Sequence, residues 1–212
     1  MYIIGFIKQK GGVGCSTLAF ATAAEFTRAG WATHLADLDT SQSTNYHRQR
    51  RRVASNIEPH ISVETYSNVT TAHNRAAGND LLIYDTAPHA TRASLEIAQR
   101  AHLTVIPTGL AEDDLRPTVL LAHELVKKGV DKNKIRVAFC RTSGSDRELA
   151  EARQYITDAG YQHIAGQMQE KPSFRLASDK GQSPTECQYP GPRKQAQHLV
   201  DQIIKSFEEV VA

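Results

Sequence analysis

The segment Lys8-Gln9-Lys10-Gly11-Gly12-Val13-Gly14-Cys15-Ser16-Thr17 combines glycines, cations and hydroxyls, which are the materials of phosphate binding. Gly11, Gly12 and Gly14 let a backbone approach an anion and turn its N–H groups toward it. Ser16 or Thr17 can place a hydroxyl on magnesium. Asp37 and Asp39 end one apolar run, and Asp85 ends another, Leu81-Leu-Ile-Tyr84. An acid just past a buried apolar strand is well placed to hold magnesium through water. Plainer readings exist for each. The glycines can make a turn that binds nothing, Asp37 and Asp39 can be solvated turn residues, and Asp85 can cap a helix.

Position decides between these readings, because a phosphate loop must follow a strand and open a helix. Strand signals fall at 2–7, 33–38, 61–66, 81–84, 102–107, 135–140 and, more weakly, 163–168. Helical periodicity falls at 16–29, 69–77, 91–100, 113–128, 146–159, 172–178 and 193–211, with an ordered loop at 181–192. Pro117 stands in a first helical turn, where proline is tolerated. The alternation predicts an α/β fold, a mostly parallel sheet flanked by helices on both faces. Such sheets bind ligands at the carboxyl ends of their strands, where the glycine loop, Asp37, Asp39, Asp85 and Arg141 all fall. The helix that opens near Ser16 adds a positive dipole end to the loop.

Bulk composition permits this fold and narrows the function. The 212 residues predict one domain over 1–212 with a full core, at 40% hydrophobic and 23% charged residues. A net charge of +2 is no polycation, so nucleic-acid contact would need a local patch. Cys15, Cys140 and Cys187 form no CxxC pair or Cys/His cluster with metal spacing, which excludes a zinc or iron–sulfur reading and suits a reducing compartment. The first residues read as a strand and not a signal peptide, and no apolar run approaches the roughly 20 residues that cross a bilayer. The expectation is a cytoplasmic protein.

KGGVG-x-ST with a lysine at the start of the loop resembles the deviant Walker A motif, KGGxGK[ST]T, of the ParA/MinD superfamily of P-loop NTPases (SIMIBI-like). Asp37-Leu-Asp-Thr-Ser-Gln42 is similar to that family's DxDPQ segment, with Thr40-Ser41 in place of Pro-Gln. Leu81 to Pro88 is similar to its hhhhDTPP element. Val105 to Thr108 and Pro172 to Gly181 extend the likeness over nearly the whole chain. The resemblance implies an ATPase that uses ATP and Mg2+. Lys10 would reach the phosphates of a partner subunit's nucleotide. Gly11, Gly12, Val13, Gly14, Cys15, Ser16 and Thr17 would cradle the phosphates. Ser16, Asp39 and Asp85 would serve the metal, Asp39 would orient the attacking water, and Arg141 would contact the base.

Cys15 departs from the motif, which has lysine there. A neutral thiol cannot replace an ammonium, and near a bound phosphate its pKa should rise. Losing a charge-assisted phosphate contact costs about 2–3 kcal/mol. Weak nucleotide binding, impaired hydrolysis or both are therefore expected. Two readings stay open, an engineered variant of an active ATPase and a natural pseudo-ATPase kept for DNA or partner contact.

The loop begins at residue 8, so no helix-turn-helix extension ahead of it is expected, as in the small ParA type. That type implies an ATP-dependent homodimer that binds DNA nonspecifically, associates with the nucleoid and is stimulated by a ParB-like or cargo-adaptor partner. Two basic clusters are candidates for DNA contact. One is Arg48, Arg50, Arg51 and Arg52; the other is Lys171, Arg175, Arg193, Lys194 and Lys205. A MinD-like membrane helix is the alternative for residues 199–211, but the polar face there is acidic, so a packed helix and no membrane contact are expected.

Overall fold

The computed structural model describes residues 1–89 and 91–212. The strands are β1 (Tyr2–Phe6), β2 (Thr33–Asp37), β3 (Ser62–Thr65), β4 (Leu81–Asp85), β5 (Leu103–Thr108), β6 (Ile135–Thr142), β7 (Gln162–His163) and β8 (Met168–Gln169). The helices are α1 (Cys15–Arg28), α2 (Thr44–Ala54), α3 (Val69–Arg75), α4 (Thr91–Arg100), α5 (Glu112–Lys127), α6 (Asp146–Asp158), α7 (Pro172–Asp179) and α8 (Pro190–Val211). The sheet runs β3-β2-β4-β1-β5-β6-β7, and β8 pairs with the far end of β6. Its pairings are parallel.

Side-chain alternation splits the core between the two faces. Ile3, Leu82 and Tyr84 point to one face, where α3, α4, α5 and α6 supply Val69, Ile97, Leu121 and Ile156. Ile4, Phe6, Leu81 and Ile83 point to the other, where α1 and α8 supply Leu18, Phe20, Leu199, Ile203 and Phe207. The apolar stripe of α8 is therefore spent on the core. No helix among the described residues is long and apolar enough to cross a membrane.

Several expectations need correction. The stretch 44–54 forms α2, which hydrophobic periodicity does not reveal. In place of one weak strand over 163–168 there are two short ones, β7 and β8. The expected loop 181–192 holds a 3-10 turn, Pro184–Glu186, and the first turn of α8. Pro190 opens that helix because a proline at its start loses no intrahelical bond. Arg141 does not follow β6 but lies within it, with φ at 54°.

Register sets the site. Phe6 pairs with Asp85, and Asp85 with Asp37. The carboxyl ends of the three central strands thus stop at one level, with both aspartates on it. The loops that leave β1, β2 and β4 start from the same plane.

Candidate functional site

The glycine loop leaves β1 and closes into α1 through Gly14, whose φ of 90° lies in the left-handed region. A Cβ at Gly14 would stand 3.0 Å from the Cys140 Cβ, and one at Gly12, with φ of 80°, would stand 3.2 Å from an Arg141 guanidinium nitrogen. Glycine at these points keeps the loop thin and its N–H groups accessible. Beyond the loop lies a cavity of about 680 Å3. Gly11, Gly12, Gly14, Cys15, Ser16 and Thr17 form one wall, Asp39 and Gln42 another, and Phe174, Arg175 and Asp179 of α7 the far side.

Asp85 is fully buried at the back of this space. It accepts a hydrogen bond from Asn45 Nδ2 at 2.9 Å, and Lys8 Nζ stands 3.5 Å away. Burial raises the Asp85 carboxyl above the usual range, and the Lys8 charge and the nearby Ser16 hydroxyl only partly offset that. Asp37 is not a solvated turn residue. It is buried and accepts from the backbone N–H groups of Asn45 (2.9 Å) and Asp39 (3.1 Å), so its charge caps the first turn of α2. Burial, with Asp85 nearby, pushes its pKa up to about 6. Asp39 is also buried and lines the cavity, where it accepts from Ser41 Oγ at 2.7 Å and from the Gln42 N–H at 3.2 Å.

The three lysine-related positions separate cleanly. Cys15 is buried, and burial followed by the Asp85 charge pushes its thiol well above the ordinary value. Residue 15 is thus a neutral group. The direction is the expected one, but its cause is burial and a carboxylate and not a phosphate. Lys10 lies on the outside, its Nζ 2.6 Å from Asp114 Oδ1 on α5, away from the residues that line the cavity. Lys8 lies inside, only 5% exposed, and lines the cavity. Burial acts to lower its pKa, and the Asp85 and Asp39 charges act against that.

Arg141 donates to the Gly12 carbonyl at 2.7 Å and to Glu170 at 2.7 Å, which ties the glycine loop to the segment before α7. The dense arginine run is not one basic surface, which corrects the first DNA patch. Arg52 is fully buried and Arg48 is 4% exposed, while Arg51 is half-buried and Arg50 exposed. Arg48 stacks 5.0 Å over the Phe20 ring, donates to Ser178 Oγ at 3.1 Å and lines the cavity. Burial, followed by repulsion from Arg51, pulls its pKa down to about 10. The second patch divides as well. Lys171 and Arg175 line the cavity, and Arg175 is paired with Glu170. Arg193 is half-buried in the first turn of α8, and Lys194 beside it is exposed.

Sequence reasoning missed Lys8 and Asn45 as site residues and gave Arg48 to DNA contact and not to the cavity. Lys8 carried the available signal, a cation at the mouth of a glycine loop. Asn45 and Arg48 lie on the helix that periodicity did not reveal. The residues present fit magnesium and a nucleoside triphosphate. The Ser16 hydroxyl lines the cavity near Asp85, and the Oδ1 of Asn45, whose Nδ2 donates to Asp85, is buried with no hydrogen-bond partner among the described residues. The glycine cradle opens on the same space.

No family model matches the sequence, and no curated protein matches it either. Solved structures do match in three dimensions. The septum site-determining protein MinD of Pyrococcus horikoshii, complexed with Mg-ADP, aligns with a TM-score of 0.73 at 13% identity, over 96% of this chain and 96% of that one. A Cyanothece McdA variant in complex with ATP aligns at 0.66 and 14% identity, over 96% of each chain. A ParA family ATPase from Chlorobium tepidum aligns at 0.66 and 15% identity, over 96% of this chain and 98% of that one. The chain has the fold of the ParA/MinD ATPases, a parallel sheet flanked by helices on both faces.

Proposed function

We propose that this chain is a ParA-like ATPase that binds ATP with magnesium, dimerises around it and serves DNA partition or cargo positioning. One observation carries the reading. The glycine loop, Ser16 and Asp39 line a single cavity of about 680 Å3, with Asp85 buried 3.5 Å from the cavity-lining Lys8, in the fold that nucleotide-bound MinD and McdA share.

The chemistry is phosphoryl transfer to water, achieved by positioning and electrostatics. Backbone N–H groups of 11–17 hold the phosphates, and the start of α1 adds its dipole. Ser16 and, through water, Asp85 would hold magnesium, which neutralises phosphate charge. Asp39 accepts hydrogen bonds on one oxygen and lines the cavity, so it can orient a water and take its proton. Arg141 and Phe174 offer a planar cation and a ring toward a base. Lys10 would leave Asp114 to meet a partner's phosphates. Residue 15 contributes no charge, which slows turnover relative to a lysine. Nonspecific DNA contact rests on Arg50, Arg193 and Lys194.

Calorimetric titration with Mg-ATP, turnover with and without DNA, and light scattering in ATP and ADP test the reading. The expected result is ATP binding, slow hydrolysis that Cys15→Lys accelerates, and a dimer in ATP alone. If neither this chain nor Cys15→Lys binds any adenine nucleotide, the reading is overturned. Neutralising Arg193 and Lys194 together should flatten the salt dependence of DNA binding; an unchanged slope removes that patch.

A further inference from the structure

We infer that Lys8 supplies the ammonium for the terminal phosphates that residue 15 lacks, from the strand side of the cavity and not from the start of α1. The inference rests on the nucleotide reading above and deepens it.

Lys8 and Cys15 flank one space. Both line the same cavity with Gly11, Gly12, Gly14, Ser16 and Thr17, and each lies within the other's electrostatic reach and that of Asp85. An ammonium entering from residue 8 therefore serves the region a lysine at 15 would serve. The side chain is 6% exposed, yet among the described residues its Nζ has one polar contact, at 3.5 Å from Asp85. An ammonium has three donors, and charge-assisted bonds run nearer 2.8 Å. A buried cation with donors in hand is costly unless something else takes them.

Pairing with Asp85 does not explain the residue. That carboxylate already accepts from Asn45 at 2.9 Å. Lys8 stands beside it without docking on it. Lys10 does not fill the role here, since it lies outside the residues that line the cavity, with its Nζ on Asp114. A phosphate entering the cavity would offer acceptors for the unspent donors. The number of positive charges available to the phosphates is then kept, and only their point of attachment differs.

The test compares ATP, ADP and AMP binding by calorimetry for the full chain, Lys8→Met, Lys8→Arg and Lys8→Met with Cys15→Lys. Lys8→Met should lose at least about 30-fold in ATP affinity, less for ADP and under about twofold for AMP. Lys8→Arg should keep most of the ATP affinity. The double variant should regain it to within about threefold, because the ammonium returns from position 15. Should Lys8→Met fold poorly, 15N NMR of the lysine ammoniums in the unaltered chain decides. The Lys8 signal must shift with ATP and stay put with AMP. Equal losses for the three nucleotides, no loss, or an unmoved Lys8 signal would overturn the inference while leaving ATP binding intact. Absence of nucleotide binding in every form would instead bring down the reading on which it stands.

Discussion

Two cations are buried in this molecule in opposite ways. Arg52 on α2 spends all five of its N–H donors. They go to Glu186 at 2.6 and 2.8 Å and to the carbonyls of Pro59, Glu58 and Gly181 at 2.8, 3.1 and 3.4 Å. Lys8, nearly as hidden, has one polar contact among the described residues, at 3.5 Å, and an open cavity before it. A buried charge whose donors are all satisfied holds elements together. One whose donors are unspent is a group waiting for a ligand. Burial alone does not distinguish them; the tally of donors does.

Substitutions can break that contrast. The largest effect should come from Arg52→Met, which strips Glu186 of two bonds and leaves three carbonyls facing apolar atoms. A loss of about 3–5 kcal/mol in urea unfolding at pH 7 is expected. Lys8→Met should cost less than half of that, since Asp85 keeps its bond from Asn45. Equal losses would make Lys8 a second Arg52 and erase the distinction.

Asp37 gives an intermediate effect, visible in pH. Its carboxyl lies at about 6 in the fold against 3.8 when free, so the folded state holds the proton more tightly. Below about pH 4 both states are protonated and nothing is lost. Between about 4 and 6 the unfolded chain releases its proton first, and stability falls as pH rises. Above 6 the penalty is constant. The decline from pH 4 to 7 should therefore be smaller in Asp37→Asn by roughly 2–3 kcal/mol, measured by urea melts at both ends. A decline of unchanged size would show that burial of Asp37 is fully offset by its N–H partners.

The smallest effect on the fold should come from Asp114→Asn. Its ion pair with Lys10 is exposed, so the melting temperature should not move. Lys10 would be freed, and ATP-dependent dimerisation should strengthen about two- to threefold in sedimentation. No gain would mean that Lys10 plays no part between subunits.

The sequence exposed whatever apolar pattern or glycine chemistry governs. The alternating runs specify the parallel sheet, and the loop at 8–17 with acids at 39 and 85 specifies the cavity's floor. Polar burial hid the rest. The helix α2 carries arginines and an asparagine on its inner face, Asn45, Arg48 and Arg52, so no hydrophobic period marks it and its basic residues pass for surface. Pro190, Gly191 and Pro192 look like a turn, although the first of them opens a helix. Donor satisfaction at Lys8 is a property of three dimensions that no spacing encodes.

The far wall of the cavity depends on one absent methyl group. At Gly181 a Cβ would fall 2.2 Å from the Arg52 backbone nitrogen, so any side chain there would wedge the chain after α7 away from α2. Phe174, Ser178 and Asp179 travel with α7. The width of the chamber is thus fixed from behind, at a point that no occupant of it would touch.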